Sequence, residues 1–460
     1  MSDKVLRRRI AGWMLFDWAS QPFYTSLWTF IFAPYFALTA TQMFMARGMA
    51  EGAADAQAQS LWSAGQTVTG LLIAFSAPFL GALADSTGRR RPWIAAFSIL
   101  LVIGAWGTWF TLPDGSTIIL GLVMFSIGFI GVEFATIFTN SYLPSLGNDT
   151  QIGKISGNGF AIGYAGGVVA LAISLGVFAQ TGAGTTFAGL MPPFGLDPTA
   201  MEGTRAVGPF VAIWFMVFMG PFFLWVHDEN LTPKPMKFGV VVADLKVSVA
   251  KVIKSRSTSA YLLSSMFYRD ALNALYAFGG TYAALVLDWS VPQIGAFGVI
   301  AAITAAIFTW LGGKWDSRFG PKPVIVVCVL LLIGVSAIIV GMSREQIFGV
   351  PLVEGSSLPD NIFYLCGAIN GAVGGILQSA SRTMMVRHAD PDRPTEAFGL
   401  YALSGKGTAF LAPALITGFT FMSGSVRQGF LPVIALFIIG LILLLWVKPE
   451  GDRAEWSKSS

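Results

Sequence analysis

The stretch Gly81-Ala82-Leu83-Ala84-Asp85-Ser86-Thr87-Gly88-Arg89-Arg90-Arg91 lies between two long apolar runs and decides how the chain is read. Its glycines permit a tight polar turn pressed against neighbouring helices, and its arginines hold that turn on the cytoplasmic side of a bilayer. A degraded copy returns at Gly313, Asp316, Gly320 and Lys322. One polar turn met twice predicts a membrane protein made of two similar halves.

Composition agrees. The 460 residues are 54% hydrophobic and 12% charged, with a mean hydropathy of +0.66, which excludes a soluble globule of ordinary make-up. Apolar runs of roughly twenty residues, long enough to cross about 30 Å of hydrocarbon, recur throughout. They fall near 11–38, 61–84, 93–112, 117–142, 155–179, 207–226, 260–287, 292–313, 323–341, 361–386, 397–421 and 429–447, twelve in all. With a cytoplasmic N-terminus, the inside loops hold 22 of the 29 Lys and Arg, and the outside loops hold only Arg47, Arg205, Arg344 and Arg427. Both termini are therefore expected in the cytoplasm, and the net charge of +4 needs no nucleic-acid partner.

The same pattern sets the organisation: a six-helix bundle over 1–226, a cytoplasmic linker over 227–259, and a second bundle with a short tail over 260–460. In the linker Pro233 and Pro235 break the chain, and Val240 to Ile253 reads as an amphipathic helix lying on the cytoplasmic leaflet. Arg7, Arg8 and Arg9 resemble the start of a secretion signal, but Asp17 interrupts the apolar run and no cleavage pattern follows, so a retained first helix is expected. Only Cys328 and Cys366 are present, both inside spans, which argues against a disulfide framework or a metal site. Neither a Gly-Lys-Ser nor a Gly-Lys-Thr phosphate loop occurs, and no nucleophile, base and metal constellation is visible, so neither a cofactor nor an enzyme is expected. His227 and His388 read as solvated histidines at helix ends.

The informative residues are those that lipid should have excluded. Asp17, Glu133, Arg269, Asp270, Arg382 and Lys406 fall inside the spans. Each would cost roughly 2.5 to 3.5 kcal/mol unpaired at a helix centre, so they should face a polar interior and find partners. Asp17, Ser20 and Phe23 also echo Asp270, Asn273 and Tyr276 as acid, small polar and aromatic at spacings of three, which lines one helix face.

The spacing G-x-L-x-D-x-x-G-R-R around Asp85 resembles the loop between the second and third helices of the major facilitator superfamily. Gly12, Trp13, Phe16, Asp17, Trp18, Ala19, Ser20, Phe23 and Tyr24 resemble the first helix of its unknown-major-facilitator branch, related to the fungal vacuolar amino-acid effluxers. Gly374, Gly375, Gln378, Ser381, Arg382, Glu396, Phe398, Gly399, Tyr401, Gly405 and Lys406 are similar to that branch's tenth and eleventh helices, and Ser156, Gly157, Gly163, Tyr164, Gly166 and Gly167 to its fifth. The chain departs from the pattern at Ser20, where Asn is usual, and at Arg269-Asp270-Ala271, where Asn-Asp-Gly is usual. The resemblance implies an all-α fold of twelve transmembrane helices in two pseudo-symmetric bundles, and amino-acid export.

The substrate- or ion-binding candidates are Asp17, Ser20, Tyr24, Glu133, Tyr164, Arg269, Asp270, Asn273, Tyr276, Gln378 and Lys406; Trp18 is a candidate for stacking on substrate. The gating candidates are Asp85, Arg89, Arg90, Asp316, Arg382 and Glu396, with Arg382 expected to pair with an acid at the cytoplasmic helix ends, Glu396 being one candidate. The expected function is secondary active transport of a small polar solute, an amino acid or similar zwitterion, coupled to protons or sodium in efflux or exchange. The protein is expected to work as a monomer in a bacterial inner membrane. The alternatives are a cation-coupled sugar symporter of the melibiose-permease type, which an acid in the fourth helix and a Lys in the eleventh also suit, and a non-transporting membrane receptor.

Overall fold

The computed structural model describes residues 3–181, 183–228 and 238–456, nearly all of them helical. The expected break at Pro233 and Pro235 lies outside the described residues. In chain order the helices are α1 (Asp3–Pro22), α2 (Phe32–Ala46), α3 (Glu51–Thr87), α4 (Arg91–Gly107), α5 (Ile118–Asn140), α6 (Asp149–Ile173), the short α7 (Glu202–Arg205) and α8 (Val207–Trp225). Then come α9 (Phe238–Lys254), α10 (Arg256–Leu287), α11 (Val291–Phe319), α12 (Pro321–Gly341), α13 (Leu358–His388), α14 (Pro394–Lys406), α15 (Leu411–Ser423), α16 (Leu431–Leu443) and the short α17 (Arg453–Trp456). A two-residue hairpin, Gln346–Ile347 with Val350–Pro351, is the only named sheet among the described residues.

Ten helical segments among the described residues are long and apolar enough to cross a membrane. The two remaining spans depart from a simple apolar helix for a readable reason. Arg269, Asp270 and several serines dilute α10, and the eleventh span is broken into α14 and α15 around Gly407–Phe410. The first span is longer than its apolar core, a run from Asp3 to Ala46 in which Phe23–Phe30 winds as a wider π-type turn.

The chain forms two compact units. One gathers residues 1–73, 87–139 and 162–234; the other gathers 74–86, 140–161 and 235–460. In the first, α1 and α4 pack along α8. Its core is aromatic: Phe125 lies 5.8 Å from Phe32 and 4.8 Å from Trp62, ring to ring, and the buried Trp13 indole donates to the Thr139 carbonyl at 2.8 Å. Burial from lipid gives no hydrophobic gain, so close packing between helices depends on small residues. Gly104 shows this, because a Cβ there would fall 2.1 Å from the Gly128 amide.

In the second unit α11 and α12 pack along α13, and α10 packs along α16. Gly157 and Gly313 bring α6 and α11 together, a Cβ on Gly157 falling 2.4 Å from Gly313 Cα. The polar turn after α3 is narrower than its sequence suggests. The helix continues through Asp85 to Thr87, and the turn is confined to the residues around Gly88, at φ +65°. Gly81 sits inside the helix, where a Cβ would fall 2.6 Å from the Thr395 carbonyl, so it serves close approach and not the turn. Gly320, at φ +83°, makes the corresponding turn between α11 and α12.

His388 is not the solvated residue expected. It is buried at the end of α13, stacked on Tyr261 at 5.1 Å, with Nε2 bonded to Ser257 Oγ at 2.9 Å. The residues after α16 form a strap beside it. Asp452 accepts from the Thr258 amide at 3.0 Å, the Thr258 hydroxyl at 2.8 Å and the Ser255 hydroxyl, Arg387 donates to the Pro449 carbonyl at 2.8 Å, and the Trp456 indole donates to the His388 carbonyl at 3.1 Å.

Candidate functional site

In the first unit the sequence candidates on α1, α5 and the π-type turn come together. The Tyr24 hydroxyl donates to Glu133 Oε1 at 3.2 Å, and both Glu133 and Asp17 lie within electrostatic range of the phenol. Glu133 is the one ionisable side chain of the otherwise apolar α5. Trp28 stacks beside Tyr24 at 6.3 Å and meets Phe129 edge-on at 4.2 Å, so the polar pair has an aromatic wall. The π-type turn positions Tyr24, because its wider winding changes which side chains point inward. A second π-type turn, Ser174–Phe178, lies against it through the Ser26 and Ser174 hydroxyls, 3.5 Å apart.

Asp17 lies against Gly163 of α6, where a Cβ would fall 3.2 Å from its side chain, and Tyr164 is half-buried next along that helix. Ser20 is buried and turns back to the Asp17 carbonyl at 3.5 Å, leaving its hydroxyl occupied on its own helix. Trp18 is consumed by packing: it stacks on Trp214 at 5.6 Å and meets Phe218 at 5.7 Å. The Arg90 amide donates to Asp228 at 3.0 Å ahead of α4, while the Arg89 side chain is exposed.

In the second unit Arg269 and Asp270 are neighbours with different tasks. Arg269 lies along α14, its guanidinium 4.1 Å from the Tyr401 ring and donating to the Tyr401 carbonyl at 3.1 Å. Gly405 makes the room, since a Cβ there would fall 2.6 Å from the guanidinium carbon. Asp270, 2% exposed, accepts from the Ala412 amide at 3.0 Å, in the first turn of α15. The pair thus straddles the break in the eleventh span, and Lys406 is the last residue before it. Free amides and positive dipole ends at a broken helix attract negative charge, and here the protein supplies its own. Asn273 and Tyr276 are exposed along α10, the Tyr276 hydroxyl reaching Gly374, and Gln378 is half-buried on α13.

The gating candidates Asp85 and Asp316 sit beside helix beginnings in this same unit. Asp85 Oδ2 accepts from the Glu396 amide at 2.8 Å, in the first turn of α14. Asp316, 2% exposed, lies against Gly153 near the start of α6, and the Lys154 amide donates to Ser317 Oγ at 2.8 Å. Arg382 meets acceptors on α6 and at the end of α5. Its Nε donates to Ser156 Oγ at 3.0 Å, Nη2 to the Ser156 carbonyl at 2.8 Å and Nη1 to Asn140 Oδ1 at 3.1 Å, with the guanidinium over the Phe160 ring at 4.2 Å. Glu396 faces Arg393, with Nη1 3.5 Å from Oε2. Arg393, Asn140 and Ser156 were missed as functional candidates. Ser156 stood among the quoted fifth-helix residues, but nothing in its spacing marks it as an acceptor for an arginine 226 positions on.

Comparison with known proteins places this geometry. The family model described as "Vacuole effluxer Atg22 like" matches residues 6–456. The uncharacterized MFS-type transporter YxiO of Bacillus subtilis (strain 168) is 22% identical over 444 residues, covering 95% of this chain and 94% of its own. Autophagy-related protein 22 of Cryptococcus neoformans var. neoformans serotype D (strain B-3501A) is 24% identical over 319 residues, covering 67% of this chain; the match spans 55% of the fungal protein's length. Among solved structures, the human organic anion transporter MFSD10 superposes with a TM-score of 0.70 at 15% identity, covering 96% of this chain and all of the other, which speaks to fold alone.

Proposed function

The chain belongs to the Atg22-like vacuole effluxer family, with the twelve-helix fold of major facilitator transporters, and on that premise we propose that it moves an amino acid or similar zwitterion by ion-coupled efflux or exchange. The observation that supports this reading is the Tyr24–Glu133 pair, with Asp17 nearby. A carboxylate inside a membrane-spanning helix is costly unless its charge is used, and a primary ammonium is a ligand that both neutralises it and hydrogen-bonds it. The aromatic wall of Trp28 and Phe129 adds favourable contact with a cation.

Turnover by alternating access requires contacts that form in one state and break in another. The Asp85–Glu396 contact is suited to that role, because a charge-assisted hydrogen bond to a helix N-terminus is worth about 1 kcal/mol and is easily exchanged. Asp316 is proposed as its counterpart beside α6, and Arg382 as the residue that holds α13 to α6.

A thermal-stabilisation screen of the purified protein against amino acids and sugars tests the reading, followed by counterflow in proteoliposomes. Ligand at a hundred times its Kd should stabilise by about 2.7 kcal/mol. Stabilisation by amino acids, lost in Glu133→Gln, is expected. Stabilisation by sugars that requires sodium would overturn it in favour of a sugar symporter.

A further inference from the structure

Helix α9 packs one face on the unit and turns the other outward. Ser248 and Val252, one turn apart, close a cavity of roughly 30 Å³ whose other walls include His388, Arg393, Glu396 and Trp456. The outward face carries Lys246, Val247, Ala250, Ile253 and Lys254, with Val247 56% and Ile253 71% exposed. Apolar side chains flanked by lysines on one helix face suit the boundary between headgroups and acyl chains. The helix is also placed at that level. It runs directly into the spanning helix α10, and the Arg256 guanidinium lies 5.7 Å from the ring of Trp446, a half-exposed tryptophan at the end of the last span. Lys246, Lys251, Lys254 and Arg256 crowd one short stretch with no acidic side chain among them, so the complementary surface is negative.

The inward face leads to the gate. Nη1 of Arg393 donates to Ser248 Oγ at 3.3 Å and is the same nitrogen that lies 3.5 Å from Glu396 Oε2. Glu396 is the residue whose amide binds Asp85. One guanidinium nitrogen thus joins the amphipathic helix to the helix beginning that Asp85 holds.

We propose that α9 is a receptor for anionic phospholipid headgroups of the cytoplasmic leaflet, wired through Ser248 and Arg393 to the start of α14. Anionic lipid seats the lysine face, which fixes Ser248; Ser248 then fixes Arg393 over Glu396, and the Asp85 contact is held closed. The functional consequence rests on reading Asp85 and Glu396 as a gate, but lipid recognition does not.

Amide hydrogen exchange of the full-length protein in nanodiscs tests this without any substrate, so its outcome is independent of what the protein transports. Phosphatidylcholine nanodiscs are compared with nanodiscs containing phosphatidylglycerol. Phosphatidylglycerol should slow exchange in 238–254 and in 394–400, and K246Q/K251Q/K254Q should remove the effect, each lysine counting for about five-fold. S248A should keep the protection of 238–254 and lose that of 394–400. Equal exchange of 238–254 in both lipids, or protection that survives the triple substitution, would overturn anionic-lipid recognition. Protection confined to 238–254 in the unsubstituted protein would overturn the link to α14.

Discussion

Asp85 and Glu396 are 311 residues apart in sequence and meet through one hydrogen bond, the Glu396 amide donating to the Asp85 carboxylate at 2.8 Å. The amide belongs to the first turn of α14, where backbone N–H groups lack helical acceptors and the helix dipole is positive. Gly81, one turn earlier on α3, and Gly399, one turn later on α14, allow the two backbones to come this close. A Cβ on either would fall within about 2.6 Å of a facing carbonyl.

Replacing Asp85 by Ala should remove the cap and cost about 1 kcal/mol at that contact. Hydrogen exchange of the Glu396 amide should then speed up roughly five-fold, with transport slowed and ligand-induced thermal stabilisation retained. Asp85→Asn, which keeps an acceptor oxygen, should lie between Ala and the native residue. Loss of ligand stabilisation in a well-folded Asp85→Ala protein would count against a gating role.

Glu133→Gln should abolish pH-driven accumulation while sparing equilibrium exchange, since the neutral amide can still accept from Tyr24 but cannot release a proton. Tyr24→Phe loses one hydrogen bond, about 0.5–1.5 kcal/mol, and should weaken substrate affinity several-fold with coupling intact. Paired uptake and exchange assays in proteoliposomes check both. Unchanged accumulation in Glu133→Gln and in Asp17→Asn would remove both acids as proton carriers.

Asp270 is expected to act as a clamp on the broken eleventh span. Asp270→Ala leaves the buried Ala412 amide without its acceptor and should destabilise by about 1–3 kcal/mol, read as a fall in Tm in detergent. Asp270→Asn should recover most of that loss. Equal Tm for all three proteins would return Asp270 to the list of substrate ligands.

Asp452 lies beyond the last span. Burial alone would push its carboxyl up, but donation from Ser255, Thr258 and Lys448 outweighs this and holds it below the usual carboxylate value. Its stabilising contribution is therefore complete above the unfolded value of about 3.9 and lost as pH falls through the lower folded value. Thermal unfolding between about pH 5 and pH 2 should show the native protein losing more stability than Asp452→Asn, while above that window the native protein should be the more stable. Parallel curves for the two would show that the strap does not depend on this charge.

The twelve spans were legible because a helix in lipid must satisfy its own backbone and fill the bilayer with apolar side chains, both of which are local demands. The break at Gly407–Phe410 was not, since the stretch from Phe398 to Thr420 reads as one apolar run and its interruption depends on Arg269 and Asp270 from another helix. The sequence drew attention to Tyr24 and Glu133 singly, as polar groups among apolar ones, but a hydrogen bond between positions 109 apart leaves no local trace. Arg382 adds what charge counting overlooks. An arginine in a span sends the search to acids, and the neutral acceptors of Ser156 and Asn140, which its planar fork also meets, leave no mark in the sequence.

The π-type turn at Phe23–Phe30 bears on how the first span tolerates insertion and deletion. Such a turn behaves as an α-helix carrying one surplus residue. Losing that residue would restore ordinary winding with both flanks in phase, whereas a deletion elsewhere in the span would swing everything on one side by about 100° relative to the other. Asp17 would leave Gly163, or Tyr35 would leave the Thr111 carbonyl it reaches at 2.8 Å. Point substitutions there should be far better tolerated in natural variation than a change of length, so the length of the span outside the turn is itself an inherited character.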